Sequence, residues 1–149
     1  EWDYLAQGPL VEEVGRKTVH ISQLCKPDNM RLKNEAPPLS LAYHYPCHLK
    51  LQADPDCSVA MLAALPDVTV SPLKTHCCGM AGSWGMTAAR YDLSRTIGED
   101  LIGQLNRSGA DYGVTDCPTC RLQMEEFADL PIRPPVEIVA ARLEGVEQS

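Results

Sequence analysis

"ADYGVTDCPTCRLQMEEFADL", residues 110–130, divides at its proline into two patterns. Residues 110–118 read as a short strand. Residues 118–130 read as a helix with Pro118 in its first turn, where the missing N–H of proline leaves no bond unmade. Cys117 and Cys120 flank that proline. The positive end of the helix dipole is therefore expected to lower the pKa of both thiols.

The same order repeats along the chain. "LSLAYHYP" (39–46) is a β-type run stopped by Pro46, and "CHLKLQ" (47–52) is a loop or helix start. "PDCSVAMLAALP" (55–66) suits a short helix, and "VTVSPL" (68–73) is a second strand. Residues 86–108 give the clearest helix, with Met86, Ala89, Leu93, Ile97, Leu101 and Leu105 at spacings of three or four and a stop at Ser108-Gly109. "PPVEIVAARLE" (134–144) makes a terminal helix. Strands alternating with helices predict an α/β domain, a small and mainly parallel sheet flanked by helices.

Length agrees with one such unit. The 149 residues form a single domain, 1–149, with a helical lead-in at 1–25, a polar proline-bearing connector at 26–38 and a core at 39–145. Within the lead-in, Leu10, Val14, Ile21 and Leu24 share roughly one helical face, interrupted at Gly8-Pro9. The chain opens on Glu1 without a signal-peptide pattern, so it is expected to be a fragment of a longer protein whose missing part lies upstream. A net charge of −7 with no basic stripe argues against a nucleic-acid surface and against attraction to anionic lipid. No apolar run approaches the roughly 20 residues that span a bilayer, so direct membrane insertion is not expected.

Seven cysteines, at 25, 47, 57, 77, 78, 117 and 120, are an odd number with one adjacent pair, a poor disulfide framework. Clustered cysteines in a reducing compartment point to metal ligation or redox chemistry, and the cytoplasm is the expected location. Cys47 follows the first strand, Cys77 and Cys78 the second, Cys117 and Cys120 the third. Ligand sites in open parallel sheets gather at the carboxyl ends of strands, so these five thiols can converge. Five exceed the four ligands of a zinc ion, whereas a polynuclear iron–sulfur cluster has more metal positions to fill. Cys25 and Cys57 read as buried free thiols outside this pattern.

"YHYPCHL" (43–49), "CCGMAGSWG" (77–85) and "TDCPTC" (115–120) together resemble the cysteine-rich CCG domain. That domain occurs in heterodisulfide reductase, in iron–sulfur proteins of glycolate and lactate oxidation systems, and in anaerobic glycerol-3-phosphate dehydrogenase. The flanking helices resemble the C-terminal copy of the domain in a larger iron–sulfur oxidoreductase. The resemblance implies that Cys47, Cys77, Cys78, Cys117 and Cys120 are the ligand set of an iron–sulfur cluster of the 4Fe–4S kind. It further implies an electron-transfer part of an oxidoreductase rather than a complete enzyme. Electrons would come from FAD on a dehydrogenase domain or subunit that oxidises a 2-hydroxy acid or glycerol 3-phosphate. They would leave toward a quinone or another carrier, with a ferredoxin-like iron–sulfur segment as a further partner. Any association with the cytoplasmic membrane would be peripheral, through those partners. No catalytic residue is assigned. Two other readings stay open: a zinc-binding structural module of the same fold, and a dithiol–disulfide redox enzyme using Cys117 and Cys120.

Around these cysteines, His44, His48 and His76 are near enough in sequence to replace a thiolate or to hydrogen-bond cluster sulfur, or are ordinary polar residues at strand ends. Gly79 and Gly82, with Gly85, let backbone N–H groups approach sulfur closely; Gly79 and Gly82, together with His48 and His76, are the outer-shell candidates. Trp84, Met80 and Met86 either shield the centre or pack in the core. Asp116 is expected to cap the helix carrying the Cys-x-x-Cys pair, and His20 to lie on the surface.

Overall fold

The structure, a computed structural model, describes residues 7–33, 35–75 and 77–145. Four strands, β1 (Leu39–Tyr43), β2 (Val68–Pro72), β3 (Tyr112–Val114) and β4 (Ile132–Arg133), form one sheet in the order β2-β1-β3-β4. All three pairings are parallel, with Leu41 opposite Val70 and Tyr112, and Gly113 opposite Ile132. Six α-helices accompany them among the described residues: α1 (Pro9–Lys17), α2 (Ile21–Leu24), α3 (Cys57–Ala63), α4 (Tyr91–Arg107), α5 (Pro118–Phe127) and α6 (Pro135–Arg142). The fold is α/β, as the alternation of elements predicts.

Both faces of the sheet are covered, as parallel strands require. Alternation along β1 sends Leu41 and Tyr43 to one face, where they meet Cys57, Met61 and Leu62 of α3 and Ile138 and Val139 of α6. Ala42 belongs to the opposite face, with Leu101 and Leu105 of α4, Met124 of α5 and Ile132. β2 is an edge strand, which is why Pro72 can end it without leaving a ladder bond unmade.

Several elements depart from the sequence expectation. The lead-in helix is two helices separated by Thr18–His20, and its first six residues lie outside the described ones. Leu10, Val14, Ile21 and Leu24 remain exposed. The connector, expected only to lack periodicity, is tied to the C-terminal helix: Leu32 bridges to Leu143, Lys33 Nζ donates to Ala141 O at 2.9 Å, and Arg142 Nη2 donates to Pro37 O at 2.7 Å. β4 had no sequence expectation; it is two residues long, between prolines.

The helix expected at 86–108 begins as two 3-10 turns, Trp84–Met86 and Ala88–Arg90, and becomes α-helical only at Tyr91. Its predicted apolar stripe is buried only at Leu101 and Leu105. Leu93 and Ile97 are 54% and 44% exposed, and the inward positions of that half are Ser94 and Gly98. The reason is distance. A Cβ on Gly98 would lie 2.6 Å from Cys78 O, so the helix and the cysteine loop approach more closely than a larger side chain allows.

Candidate metal centre

Strand order 2-1-3-4 places a topological switch point between β1 and β3, the location where open α/β sheets bind ligands beyond their strand ends. Three segments meet there. His44 directly follows β1 and extends the ladder by donating its N–H to Val114 O at 2.8 Å. The loop after β2 delivers Thr75, Cys77 and Cys78. After β3 come Asp116 and Cys117, then α5 with Cys120 one turn in.

The closest group of potential ligands is His44, Cys78 and Cys120. One ring nitrogen and the two Sγ atoms all lie within 4.8 Å of one another, and all three residues are buried. Ligands of a tetrahedral ion at ordinary bond lengths stand roughly 3.5–3.8 Å apart, so small side-chain rotations suffice to close around a metal. Cys117 lies beside them, packed against the same core cluster and near enough to bias the Cys120 thiol. Cys77 is half-buried in the loop, where its Sγ accepts the Gly79 N–H at 3.3 Å. Cys47 and His48 are exposed beyond the end of β1 and lie outside the tight group. His76 falls outside the described residues. All seven cysteines are free thiols.

The two buried thiols divide one charge. The Cys120 thiol, and after it the His44 ring, pull Cys78 down to about 4 against the burial that opposes ionisation. Cys120 moves the opposite way, pushed up first by the Cys78 sulfur it faces and then by burial. The helix-dipole expectation for Cys120 is therefore corrected: a neighbouring thiolate in a buried site outweighs the partial charge of a helix end. A cation between them removes this conflict, which makes the donor set a fit for a thiophilic metal.

The glycines shape the loop. Gly79 has φ +93°, and a Cβ there would sit 1.9 Å from Ser94 O on α4. Gly82, φ +69°, is exposed with open space around it. Met80 is buried against Ser94 Oγ at 3.8 Å, whereas Met86 is half-exposed and packs no core. Trp84 is held by the Arg90 guanidinium, 5.1 Å from its ring centroid.

A second polar cluster lies on the other face. Asp116 does not cap α5; Cys117 is the residue at that N-cap. Its carboxylate instead accepts from the Tyr43 hydroxyl and, at 2.8 Å, from Ser58 Oγ, which is 2.7 Å from Ser22 Oγ. His20 is not simply a surface residue. It caps α2, with Nε2 3.6 Å from Asp116 and Nδ1 3.7 Å from the buried Cys57 Sγ. Cys25 is half-buried against the same core. Sequence reading missed this network because its members are spread from residue 20 to residue 116.

A doubly wound α/β domain with buried thiols gathered at its switch point is the class that this geometry defines. The family model described as cysteine-rich domain, CCG, matches residues 41–125, more than half of the chain. The chain belongs to that CCG family. It is 36% identical over 106 residues to the C subunit of anaerobic glycerol-3-phosphate dehydrogenase from Escherichia coli K12, covering 71% of this chain and 27% of that protein. The same values hold for the counterpart from strain O157:H7. It is also 25% identical over 92 residues to an uncharacterized iron-sulfur protein of Methanococcus maripaludis, covering 59% of this chain and 18% of that one. The chain thus spans about a quarter of the length of the two Escherichia coli proteins, and no helix among the described residues is long and apolar enough to cross a membrane.

Proposed function

We propose that this domain holds an iron–sulfur centre and relays electrons inside a larger oxidoreductase. The observation that carries the reading is the buried group of Cys78, Cys120 and a histidine nitrogen at the switch point, with Cys117 beside it and Cys77 in the same loop. Membership of the CCG family, and relatives named as an iron-sulfur protein and as part of a dehydrogenase, support it. The ligand set is Cys47, Cys77, Cys78, Cys117 and Cys120, and the group is of the 4Fe–4S kind. Cys47 stands on the short exposed turn after β1. When bound, the cluster supplies one-electron redox chemistry. The chain's own part is to bury the sulfurs, fix their spacing through the close α4 contact at Gly98, and present the Gly79 N–H to sulfur, which tunes potential.

Flavin on a dehydrogenase partner is the electron source, oxidising glycerol 3-phosphate or a 2-hydroxy acid. A ferredoxin-like segment and a quinone or other carrier complete the path. The setting is cytoplasmic, with membrane contact only through partners.

Anaerobic purification with iron, acid-labile sulfide and zinc analysis, together with EPR of both redox states, tests the reading. Iron and sulfide in comparable amounts with a redox-dependent signal are expected. Zinc without sulfide, persisting after cluster reconstitution, overturns it in favour of a structural zinc module. Stoichiometric dithiol turnover without metal would make it a disulfide enzyme.

A further inference from the structure

We infer that His44 Nε2 is a ligand of the metal centre, acting with Cys78 and Cys120; the inference rests on the reading that this end of the sheet holds a metal. The side chain is 1% exposed, and its Nε2 makes no hydrogen bond of ordinary length among the described residues, while Cys78 Sγ and Cys120 Sγ both lie within 4.8 Å of a ring nitrogen. A buried polar atom without a partner is uncommon, because desolvation is then uncompensated. The other ring nitrogen is not free: Nδ1 lies 2.9 Å from Thr75 Oγ1. That contact fixes the ring plane, and with Nδ1–H donating to the hydroxyl it leaves the Nε2 lone pair for a metal. Thr75 is itself buried, and its backbone carbonyl accepts from Lys50 Nζ at 3.1 Å, so the orienting residue is held in turn.

Topology gives the same direction. Tyr43 points to the α3 and α6 face of the sheet, so alternation commits the next side chain to the face where Cys78 and Cys120 lie. At a metal position where the imidazole takes the place of a thiolate, the donor set is less negative by one charge, and a less negative set raises the potential of an iron centre.

Cobalt(II) is a suitable probe because it needs neither sulfide nor turnover. The full chain, reduced and metal-free and carrying ¹⁵N-labelled histidine, is titrated anaerobically with cobalt(II). Thiolate ligation is read from sulfur-to-metal charge-transfer absorption, and imidazole ligation from proton NMR. One strongly shifted, ¹⁵N-bonded exchangeable ring proton is expected, the Nδ1–H held by Thr75. In His44→Gln that signal disappears and cobalt affinity falls at least about tenfold. Thr75→Val keeps the thiolate bands while the shifted proton exchanges faster with water. The wild-type spectrum alone decides the matter should the histidine variant fold poorly. Cobalt bound with full thiolate bands and no shifted ring proton overturns the inference and leaves His44 a hydrogen-bond donor to sulfur. Absence of cobalt binding overturns it equally. The shifted proton in a chain that takes up no iron and sulfide keeps His44 as a ligand and discards the iron–sulfur reading.

Discussion

Tyr43 and His44 are consecutive residues anchored on opposite faces of the sheet, Tyr43 by its hydroxyl to Asp116 and His44 by its ring to Thr75. Asp116 is in turn the neighbour of Cys117. The polar network behind the sheet therefore fixes the ends of both strands that frame the thiol group.

Tyr43→Phe removes a donor from a carboxylate that burial keeps from water. Burial first, and the charge of Asp116 second, hold the Tyr43 phenol protonated far above its ordinary range, so the donor is present at every working pH. A loss of about 1.5–3 kcal/mol is expected for a hydrogen bond to a charged group. Urea unfolding measures it. A double-mutant cycle with Asp116→Asn should give a coupling energy clearly above zero.

The glycines of the cysteine loop and of the helix packed on it separate by the room around them. Gly82→Ala meets no atom and pays only for the left-handed backbone, about 1–2 kcal/mol. Gly98→Ala must push α4 off Cys78 O and is expected to lose about 1–3 kcal/mol together with metal retention. Gly79→Ala combines both faults, a positive φ and a collision with the Ser94 backbone, and should be the most disruptive of the three. Thermal denaturation and metal content after dialysis rank them.

At the other end of the strands, Asp111 Oδ2 accepts from Ser40 Oγ at 2.6 Å and from Ser40 N–H at 2.7 Å. These bonds hold its carboxyl below the ordinary value, the hydroxyl having the larger effect. A lowered folded pKa gives stability that is present above the unfolded value of about 3.9 and is lost as pH falls through the folded one. The difference in urea midpoint between the wild type and Asp111→Asn should be constant near neutrality and shrink in acid. A difference that grows on acidification would contradict the assignment.

The cysteines divide by face. Cys78→Ala or Cys120→Ala should abolish most iron uptake, whereas Cys57→Ala, in the core across the sheet, should keep its iron content and lose only packing stability. Iron and sulfide per chain across this set separates ligands from core thiols. Equal iron in all variants would move the centre elsewhere.

The α/β class was legible because period and punctuation agree wherever a strand is followed by a helix, most plainly at Val114 and Pro118. The grouping of Cys78 with Cys120 was legible from their places after the second and third strands. The face of α4 was not. Sequence periodicity nominates Leu93 and Ile97, but the cysteine loop lies so close that Gly98 and Ser94 must face it. The tie between His20 and Asp116 was not legible either, because contacts between distant segments leave no local period.

Sequence by itself determined the alternation of the first three strands with helices, the clustering of thiols after those strands and the family, since these rest on local spacing and residue type. Tertiary structure alone decided which donors share a site. Strand order put β1 beside β3, alternation turned His44 toward the sulfurs, and burial left its Nε2 without a partner among the described residues. Such properties arise only when segments far apart in the chain exclude water from the same space.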